Sequence, residues 1–132
     1  MINILFVCIE NSCRSQMAEA FTKIHGRGIL QAYSAGSNAS GVVNIKAIKS
    51  MKEIGYDLST HNSKALSQIP DIEFDYAITM GCGDECPLVK AKNRTDWDLL
   101  DPKTMNENDF NKVRDKIENK VLALINEIKY NS

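Results

Sequence analysis

The sequence predicts an α/β fold, a three-layer sandwich in which helices cover both faces of a four-stranded parallel sheet. Short strand candidates alternate with helical segments along the 132 residues, which is typical of a parallel sheet with crossover helices. The first strand candidate is apolar on both faces, as a buried central strand is. The length corresponds to about one domain at ~100–200 residues per domain, so we expect a single domain over residues 1–132.

The N-terminal half contains two strand–helix pairs. Residues 2–8 form a β-branched apolar run and predict the first strand, and residues 30–34 predict the second. The helix between them ends near Gly26 and carries apolar residues at helical spacing: Met17, Ala20, Phe21 and Ile24. A second helix is predicted over residues 44–54, with Gly55 as its C-terminal signal and an apolar stripe of Ile45, Ile48, Met51 and Ile54.

The C-terminal half predicts two more strands and the clearest helix. Residues 63–68 favour a short helix that ends before Pro70, and residues 74–80 predict the third strand. Residues 81–95 lack an apolar period and favour a loop, after which residues 97–100 predict the fourth strand. Residues 107–128 predict a long amphipathic helix with a stripe of Phe110, Val113, Ile117, Val121, Leu124, Ile125 and Ile128.

Composition excludes several classes of protein. Hydrophobic residues make up 43% and charged residues 25%, which excludes wholesale disorder. The net charge of −1 offers no basic field for nucleic acid, and no apolar run approaches the ~18 residues that span a bilayer. We therefore expect a cytoplasmic protein with neither nucleic-acid nor membrane partners. In that compartment, four cysteines favour catalysis or metal binding over structural disulfides.

The segment after the first strand carries the strongest chemical pattern. Five residues separate Cys8 from Arg14, and Ser15 follows. Between a strand and a helix, such a loop can direct its N–H groups to one point, and the helix adds its positive N-terminal end. This arrangement binds a tetrahedral oxyanion and favours the nucleophilic thiolate of Cys8. The predicted oxyanion-binding residues are Ile9, Glu10, Asn11, Ser12, Cys13, Arg14 and Ser15. The alternative is a buried strand-end cysteine followed by a solvated arginine.

Four stretches of the chain resemble a known family. They read FVC at 6–8, NSCRSQMAE at 11–19, YSAG at 33–36 and DP at 101–102. They are similar to the low-molecular-weight protein tyrosine phosphatase superfamily, and within it to arsenate reductases that use a cysteine relay. The resemblance implies a four-stranded parallel sheet with flanking helices. It also implies that Cys8 is the nucleophile, Arg14 the oxyanion clamp and Asp101 the general acid.

Two further cysteines follow the third strand, on the side of a parallel sheet where Cys8 also lies. The resemblance implies that Cys82 attacks the arsenic adduct of Cys8 and that Cys86 then attacks Cys82. Arsenate is then the substrate, and thioredoxin or another dithiol protein the reductant. Two other interpretations of the cysteines stay open: Cys82 and Cys86 are inert, or they hold zinc together with Cys8 and Cys13.

The chain departs from the family pattern at several positions. Glu10 stands where the phosphatases usually have glycine, and a carboxylate beside an anion site costs affinity unless it points away. Lys103, Thr104 and Met105 follow Asp101-Pro102 where many tyrosine phosphatases place aromatic residues, which favours a small inorganic oxyanion.

The resemblance also bears on metals and on rival functions. Some arsenate reductases bind potassium through residues like Asn11, Glu19, Ser34 and an aspartate, but this chain has Lys64 at the aspartate position. Because a lysine repels a cation, we predict no metal, and we expect a monomer without cofactors. Two other functions remain open. One is a phosphatase that hydrolyses phosphoesters through Cys8, and the other is a redox-sensing or oxyanion-binding protein without turnover.

Overall fold

The computed structural model describes residues 1–81 and 89–130. Its centre is a parallel sheet in the order β2-β1-β3-β4, made of β1 (Ile2–Cys8), β2 (Leu30–Gly36), β3 (Phe74–Thr79) and β4 (Ala91–Asp96). The predicted four-stranded parallel sheet is therefore confirmed. β2 and β3 lie on opposite sides of β1, which makes the carboxyl end of β1 a topological switch point, where ligands bind in open α/β sheets.

One face of the sheet carries the α-helices that these residues form: α1 (Arg14–His25), α2 (Ile45–Lys52) and α3 (Glu107–Tyr130). Ile4 and Phe6 of β1 point into this layer, where α1 packs against α3 and α2 packs against both. The helices bury large side chains in one core, including Met17, Phe21, Met51, Phe110, Ile117 and Val121. This core holds the start of α1 against the end of β1.

The opposite face of the sheet carries a thinner layer. Leu5 and Val7, which alternate with Ile4 and Phe6 along β1, are completely buried here. Among the described residues, the cover comes from the 3-10 turn Leu66–Gln68 and from apolar residues near it: Leu66, Ile69, Ile72 and Val89. Within residues 63–68, predicted as a short helix, only this turn is helical.

The prediction for the fourth strand was wrong. β4 spans Ala91–Asp96, inside the predicted loop, and residues 97–100 lie beyond it. Five of its six residues are exposed at the edge of the sheet, so β4 shows no apolar alternation and depends on its pairing with β3. The apolar residues that suggested a strand serve the core instead. Trp97 packs on Phe6 with ring centroids 5.7 Å apart, and Leu99 is buried.

The second helix is confirmed, but its predicted apolar stripe was wrong at both ends. Ile45 is 78% exposed and Ile54 42% exposed, whereas the small side chains Ala47 and Ser50 are buried. Gly55 adopts a φ of +87° just after the helix. Its N–H donates to the carbonyl of Lys52, and the next N–H donates to the carbonyl of Met51. This is the glycine-terminated helix end that the sequence predicted.

The remaining helices are confirmed at their predicted positions. α3 extends to Tyr130 and buries Phe110, Ile117, Val121, Ile125 and Ile128, with Val113 and Leu124 partly buried. Ile24, by contrast, is 42% exposed near the end of α1. Among residues 1–81 and 89–130, no helix combines the length and the hydropathy that crossing a bilayer requires.

Gly36 ends β2 beside the loop that follows β1. A Cβ atom at this position would lie 2.5 Å from the carbonyl oxygen of Ile9 and 2.9 Å from the nitrogen of Asn11. Both neighbours are backbone atoms, which cannot swing aside as the end of a side chain can. The absence of a side chain at Gly36 therefore lets the loop close against the sheet.

We predict that Gly36→Ala lowers the free energy of unfolding by about 1–3 kcal/mol, as overpacking does, and weakens phosphate binding by displacing the loop. Denaturant titration and calorimetric phosphate titration measure the two effects. Gly28→Ala is the control, because Gly28 has a φ of +81° and a Cβ there would meet nothing within 4 Å. It costs stability through its left-handed backbone alone. Equal phosphate affinity in both variants would contradict the role of Gly36.

Candidate active site

Cys8 is the last residue of β1 and lies at the switch point of the sheet. It is a free cysteine with 3% of its surface exposed. The loop of residues 9–13 follows, and α1 begins at Arg14. Cys8 therefore faces a short loop and the N-terminal end of a helix, as the sequence predicted.

The loop is held from outside through its carbonyl groups. The carbonyls of Cys8, Ile9, Glu10 and Ser12 accept hydrogen bonds of 2.7–3.1 Å from backbone N–H groups of residues 37–44. Within the described part of the chain, no hydrogen bond engages the N–H groups of residues 10–13. Because the carbonyls are bonded outward, these N–H groups are available to an anion beside Cys8.

Ser15 supplies a hydrogen bond to the Cys8 sulfur. Its Oγ lies 2.8 Å from Cys8 Sγ and 2.8 Å from Asn11 Nδ2. Asn11 Oδ1 accepts from the backbone N–H of Lys64 at 2.7 Å, so the amide Nδ2 must face Ser15 as a donor. The Ser15 hydroxyl accepts that bond, which leaves its own proton available for donation to Cys8 Sγ. Such a donor stabilises a thiolate.

The hydrogen bonds continue from Asn11 to a buried histidine. Gln16 Nε2 donates to Asn11 Oδ1 at 2.8 Å and to two backbone carbonyls, which leaves its Oε1 facing His61 Nδ1 at 2.9 Å. His61 Nδ1 therefore carries a proton, and Nε2 lies 2.6 Å from the Tyr56 hydroxyl, which can donate to it. The hydrogen bonds thus form one connected series that joins Tyr56, His61, Gln16, Asn11, Ser15 and Cys8.

Glu19 is a buried carboxylate beside this network. Ser34 Oγ donates to it at 2.6 Å and Lys23 Nζ at 2.8 Å, and Lys64 Nζ lies 3.8 Å away. Burial alone would raise the pKa of Glu19, but the hydrogen bonds from Lys23 and Ser34 outweigh burial and hold that pKa below its usual range. The positive side chains of Lys23 and Lys64 thus already compensate the carboxylate. That no metal binds here stays a prediction.

The pKa of the neighbouring His61 is lowered as well. Burial lowers the pKa of His61 below its usual range, and the positive charges of Lys23 and Lys64 add to this, while Glu19 opposes it. His61 Nδ1 lies 3.4 Å from Glu19 Oε2, so the two groups are coupled. From the sequence, a surface or satisfied position is the expectation for this histidine. His61 is 9% exposed and both of its ring nitrogens have hydrogen-bond partners, which agrees with the satisfied position.

Arg14 anchors the other side of the loop. Its Nη1 donates to the carbonyls of Met80 at 2.5 Å and Leu99 at 2.9 Å. The guanidinium is 6% exposed, and its Nη2 lies 3.9 Å from Asp101 Oδ2. Gly81, with a φ of +91°, lets residues 80–81 approach Leu99, because a Cβ there would lie 2.5 Å from its carbonyl oxygen. Nη1 thus holds the surrounding backbone in place, and Nη2 faces Asp101.

Asp101 lies where the sequence predicted an acid. It precedes the 3-10 turn Pro102–Thr104, and its Oδ1 accepts from the Lys103 N–H at 3.1 Å. Its side chain is 54% exposed and approaches Arg14. The carboxyl is therefore placed at the rim of the loop, with access to solvent protons.

The structure brings most of the predicted site together. Cys8, Arg14, Ser15, Asp101 and the loop residues meet at one end of the sheet, and their catalytic and binding roles stay predictions. Cys82 and Cys86 lie outside the described residues, so their predicted relay is not located here. Burial raises the pKa of Cys13 to about 12, which keeps it a thiol and favours a place in the loop over reactivity.

Sequence reasoning missed the residues behind the loop. Gln16 and His61 carry the hydrogen-bond network, and neither belongs to a spacing pattern that predicts this contact, because 45 positions separate them. The sequence marks Lys103 only as a non-aromatic residue after Asp101, yet its ammonium bonds Glu10. The only available signal for that pair was the departure from glycine at position 10.

Comparison with known proteins identifies the family. The family model described as low molecular weight phosphotyrosine protein phosphatase matches residues 3–132. The chain belongs to this family. Among curated relatives, "Arsenate reductase 1" of Staphylococcus epidermidis is 40% identical over 119 residues, which cover 87% of this chain and 89% of the relative. "Glutaredoxin arsenate reductase" of Synechocystis is 37% identical, with 97% of this chain and 99% of the relative covered.

Solved structures of the family share this architecture. One described as an arsenate reductase in the phosphate binding state superimposes with a TM-score of 0.88 at 37% identity, covering 97% of this chain and 99% of that chain. The phosphatase-like fold that the resemblance implied is therefore confirmed along nearly the whole chain.

We predict that Arg14→Lys weakens phosphate binding at least tenfold. It should also lower the kcat/KM of the reaction at Cys8 by about 10²–10³, the usual cost of losing an oxyanion donor. A single ammonium cannot replace the two carbonyl contacts of Nη1 and also present a second nitrogen to the anion. Calorimetric phosphate titration measures the first effect. Lys120→Met, which removes an ammonium near Trp97, is the control for a lost charge. Unchanged binding in Arg14→Lys would contradict the assignment.

We predict that acid destabilises the protein in two steps. His61 and Glu19 both have pKa values lowered by folding, so the unfolded chain binds more protons, and stability present at higher pH is lost as pH falls. The first step begins near the ordinary histidine value of 6.5 and the second near the ordinary glutamate value of 4.5.

Thermal unfolding between about pH 8 and about pH 2 measures both steps. His61→Gln should remove the first step, while His25→Gln, which alters the other histidine, should keep it. Retention of the first step in His61→Gln would show that another group causes it.

Proposed function

We propose that this protein reduces arsenate to arsenite and uses the Cys8 site to bind and attack the oxyanion. The observation that carries the proposal is the pairing of Cys8 Sγ with the Ser15 hydroxyl at 2.8 Å beside a loop whose carbonyls are bonded outward. This geometry supplies a nucleophile and a set of N–H donors at one point. The arsenate reductases among the relatives support arsenate as the oxyanion.

The first step is nucleophilic substitution at arsenic. The Cys8 thiolate forms a sulfur–arsenic bond, and an arsenate oxygen leaves as water after protonation. Asp101, 3.9 Å from Arg14 at the rim of the loop, is the proton donor in this proposal. Arg14 Nη2 and the loop N–H groups stabilise the negative oxygens. Arsenic remains in oxidation state five at this point.

The second step transfers two electrons. We propose that the Cys82 thiolate attacks Cys8 Sγ, so that a disulfide forms and the electron pair of the sulfur–arsenic bond stays on arsenic, which leaves as arsenite. Cys86 then attacks Cys82, releases the Cys8 thiolate and leaves a Cys82–Cys86 disulfide. Thioredoxin or another dithiol protein reduces this disulfide. The relay operates in a reducing cytoplasm and in a monomer.

A second candidate is phosphoester hydrolysis through a phosphocysteine at Cys8. The same loop, Arg14 and Asp101 suit that reaction, and the family takes its name from it. The segment after Asp101 offers Lys103 and Thr104 and no aromatic side chain for a phenyl ring, which favours the smaller inorganic substrate. Neither Cys82 nor Cys86 is needed for hydrolysis, so their substitution separates the two functions.

We predict that the purified protein forms arsenite from arsenate with thioredoxin, thioredoxin reductase and NADPH. Cys8→Ser, Cys82→Ser and Cys86→Ser should each abolish turnover, because each removes one electron-transfer step. Cys13→Ser is the thiol control, since it keeps the loop N–H groups and should still form arsenite. A parallel assay with glutaredoxin and glutathione identifies the reductant class.

The outcomes distinguish the candidates. Turnover that survives Cys86→Ser would show that an external thiol enters one step earlier than proposed. No arsenite with either reductant, together with p-nitrophenyl phosphate hydrolysis that survives Cys82→Ser, would replace the reductase by the phosphatase.

A further inference from the structure

The oxyanion loop carries an acidic side chain that is paired across the site. Lys103 Nζ donates to Glu10 Oε1 at 2.9 Å and to Glu10 Oε2 at 3.0 Å. The two residues lie 93 positions apart, one in the loop after β1 and one in the turn after Asp101. We call this ion pair the strap. It joins the part of the chain that binds the anion to the part that carries the acid.

Both ends of the strap are anchored through the backbone. The Glu10 carbonyl accepts from the Ser40 N–H at 3.0 Å and from Ser63 Oγ at 3.0 Å. At the other end, Lys46 Nζ donates to the carbonyls of Lys103 at 2.9 Å and Met105 at 3.0 Å. Because neighbouring contacts already hold both backbones, forming the strap orders only the two side chains.

The strap also bears on the position of the acid. The backbone N–H of Lys103 donates to Asp101 Oδ1 at 3.1 Å, while Asp101 Oδ2 lies 3.9 Å from Arg14 Nη2. The residue that contacts the loop with its side chain thus orients Asp101 with its backbone. Opening the strap would remove the side-chain contact between the loop and the turn that carries Asp101.

The strap also changes the charge beside the anion site. The loop binds a multiply charged anion, and an unpaired Glu10 carboxylate on it would repel that anion. Both Glu10 oxygens are occupied by the ammonium, which cancels the charge next to the binding site. The hydrogen bonds and the negative charge of Glu10 raise the pKa of Lys103 above its usual value.

We infer that the Glu10–Lys103 strap determines specificity: it neutralises the Glu10 carboxylate and places two paired side chains between the loop and the Asp101 turn, which favours a bare tetrahedral oxyanion over an aryl phosphoester. The inference deepens the proposed function, on which it rests for the identity of the oxyanion as arsenate. Lys103 is a positioning residue, since it acts through Asp101 and Glu10.

The test compares the wild type with Lys103→Met, Lys103→Arg, Glu10→Gln and the Glu10→Gln/Lys103→Met double variant. Calorimetry measures the Kd of arsenate, and steady-state hydrolysis measures the KM of p-nitrophenyl phosphate. Lys112→Met is the matched control, because it removes an exposed lysine paired with Asp109 at 3.8 Å on α3. Thermal unfolding checks that each variant folds.

The expected result is selective. Lys103→Met should raise the arsenate Kd about two- to fivefold, the range for an exposed ion pair, while the aryl ester KM rises less because the mouth opens. The effect on arsenate should shrink at high ionic strength. Lys103→Arg should resemble the wild type, and the double variant should recover most of the arsenate affinity that Lys103→Met loses.

Two results would contradict the role of the strap in specificity. One is a ratio of arsenate Kd to aryl ester KM that is the same in Lys103→Met as in Lys112→Met. The other is an equal effect of Lys103→Met with Glu10 and with Gln at that position, because it would show no coupling. Failure of the proposed function gives a different pattern: the wild type forms no arsenite with either reductant, while the arsenate Kd values still decide the strap.

Discussion

The buried guanidinium of Arg14 is the constraint on which the site depends. Taking a positive charge out of water costs several kcal/mol unless hydrogen bonds compensate it. Here the compensation comes from the carbonyls of Met80, just after β3, and Leu99, ahead of the acid turn. The start of α1 is therefore joined to both segments that must converge on Cys8. Losing either carbonyl would leave the buried charge with one hydrogen bond fewer.

The loop after β1 is held in its shape by the segments around it. Its carbonyls bond the segment after β2, and its tight approach to Gly36 is possible only without a side chain there. Asn11, with a φ of +51°, holds the loop from inside through Ser15 and the Lys64 N–H. The N–H groups are thus oriented before an anion arrives, and preorganised donors need little reorganisation during reaction.

Charge around the site is balanced in pairs and clusters. Glu19 is surrounded by Lys23, Lys64 and the neutral His61, and Glu10 is matched by Lys103 on the open side. Glu19 and His61 of the first cluster are buried and have pKa values lowered by folding, whereas the Glu10–Lys103 pair is exposed and responds to salt. The stability that the first cluster contributes therefore depends on pH, and the strength of the Glu10–Lys103 pair depends on ionic strength.

The sequence by itself determined the parallel sheet, the position of α3 and the strand–loop–helix context of Cys8 and Arg14. These depend on local signals, since apolar runs mark buried strands and the strand–loop–helix context marks an oxyanion loop. It could not determine β4, because an exposed edge strand has no apolar alternation and exists through its pairing with β3.

Tertiary structure alone decided the long-range polar contacts. The link from Gln16 to His61 spans 45 positions and the link from Glu10 to Lys103 spans 93. A hydrogen bond between distant residues leaves no periodicity in the chain, because it depends on where two loops meet after the core has packed. The physics of burial therefore makes the core predictable, and only the folded geometry reveals how the site is oriented and how its charges are balanced.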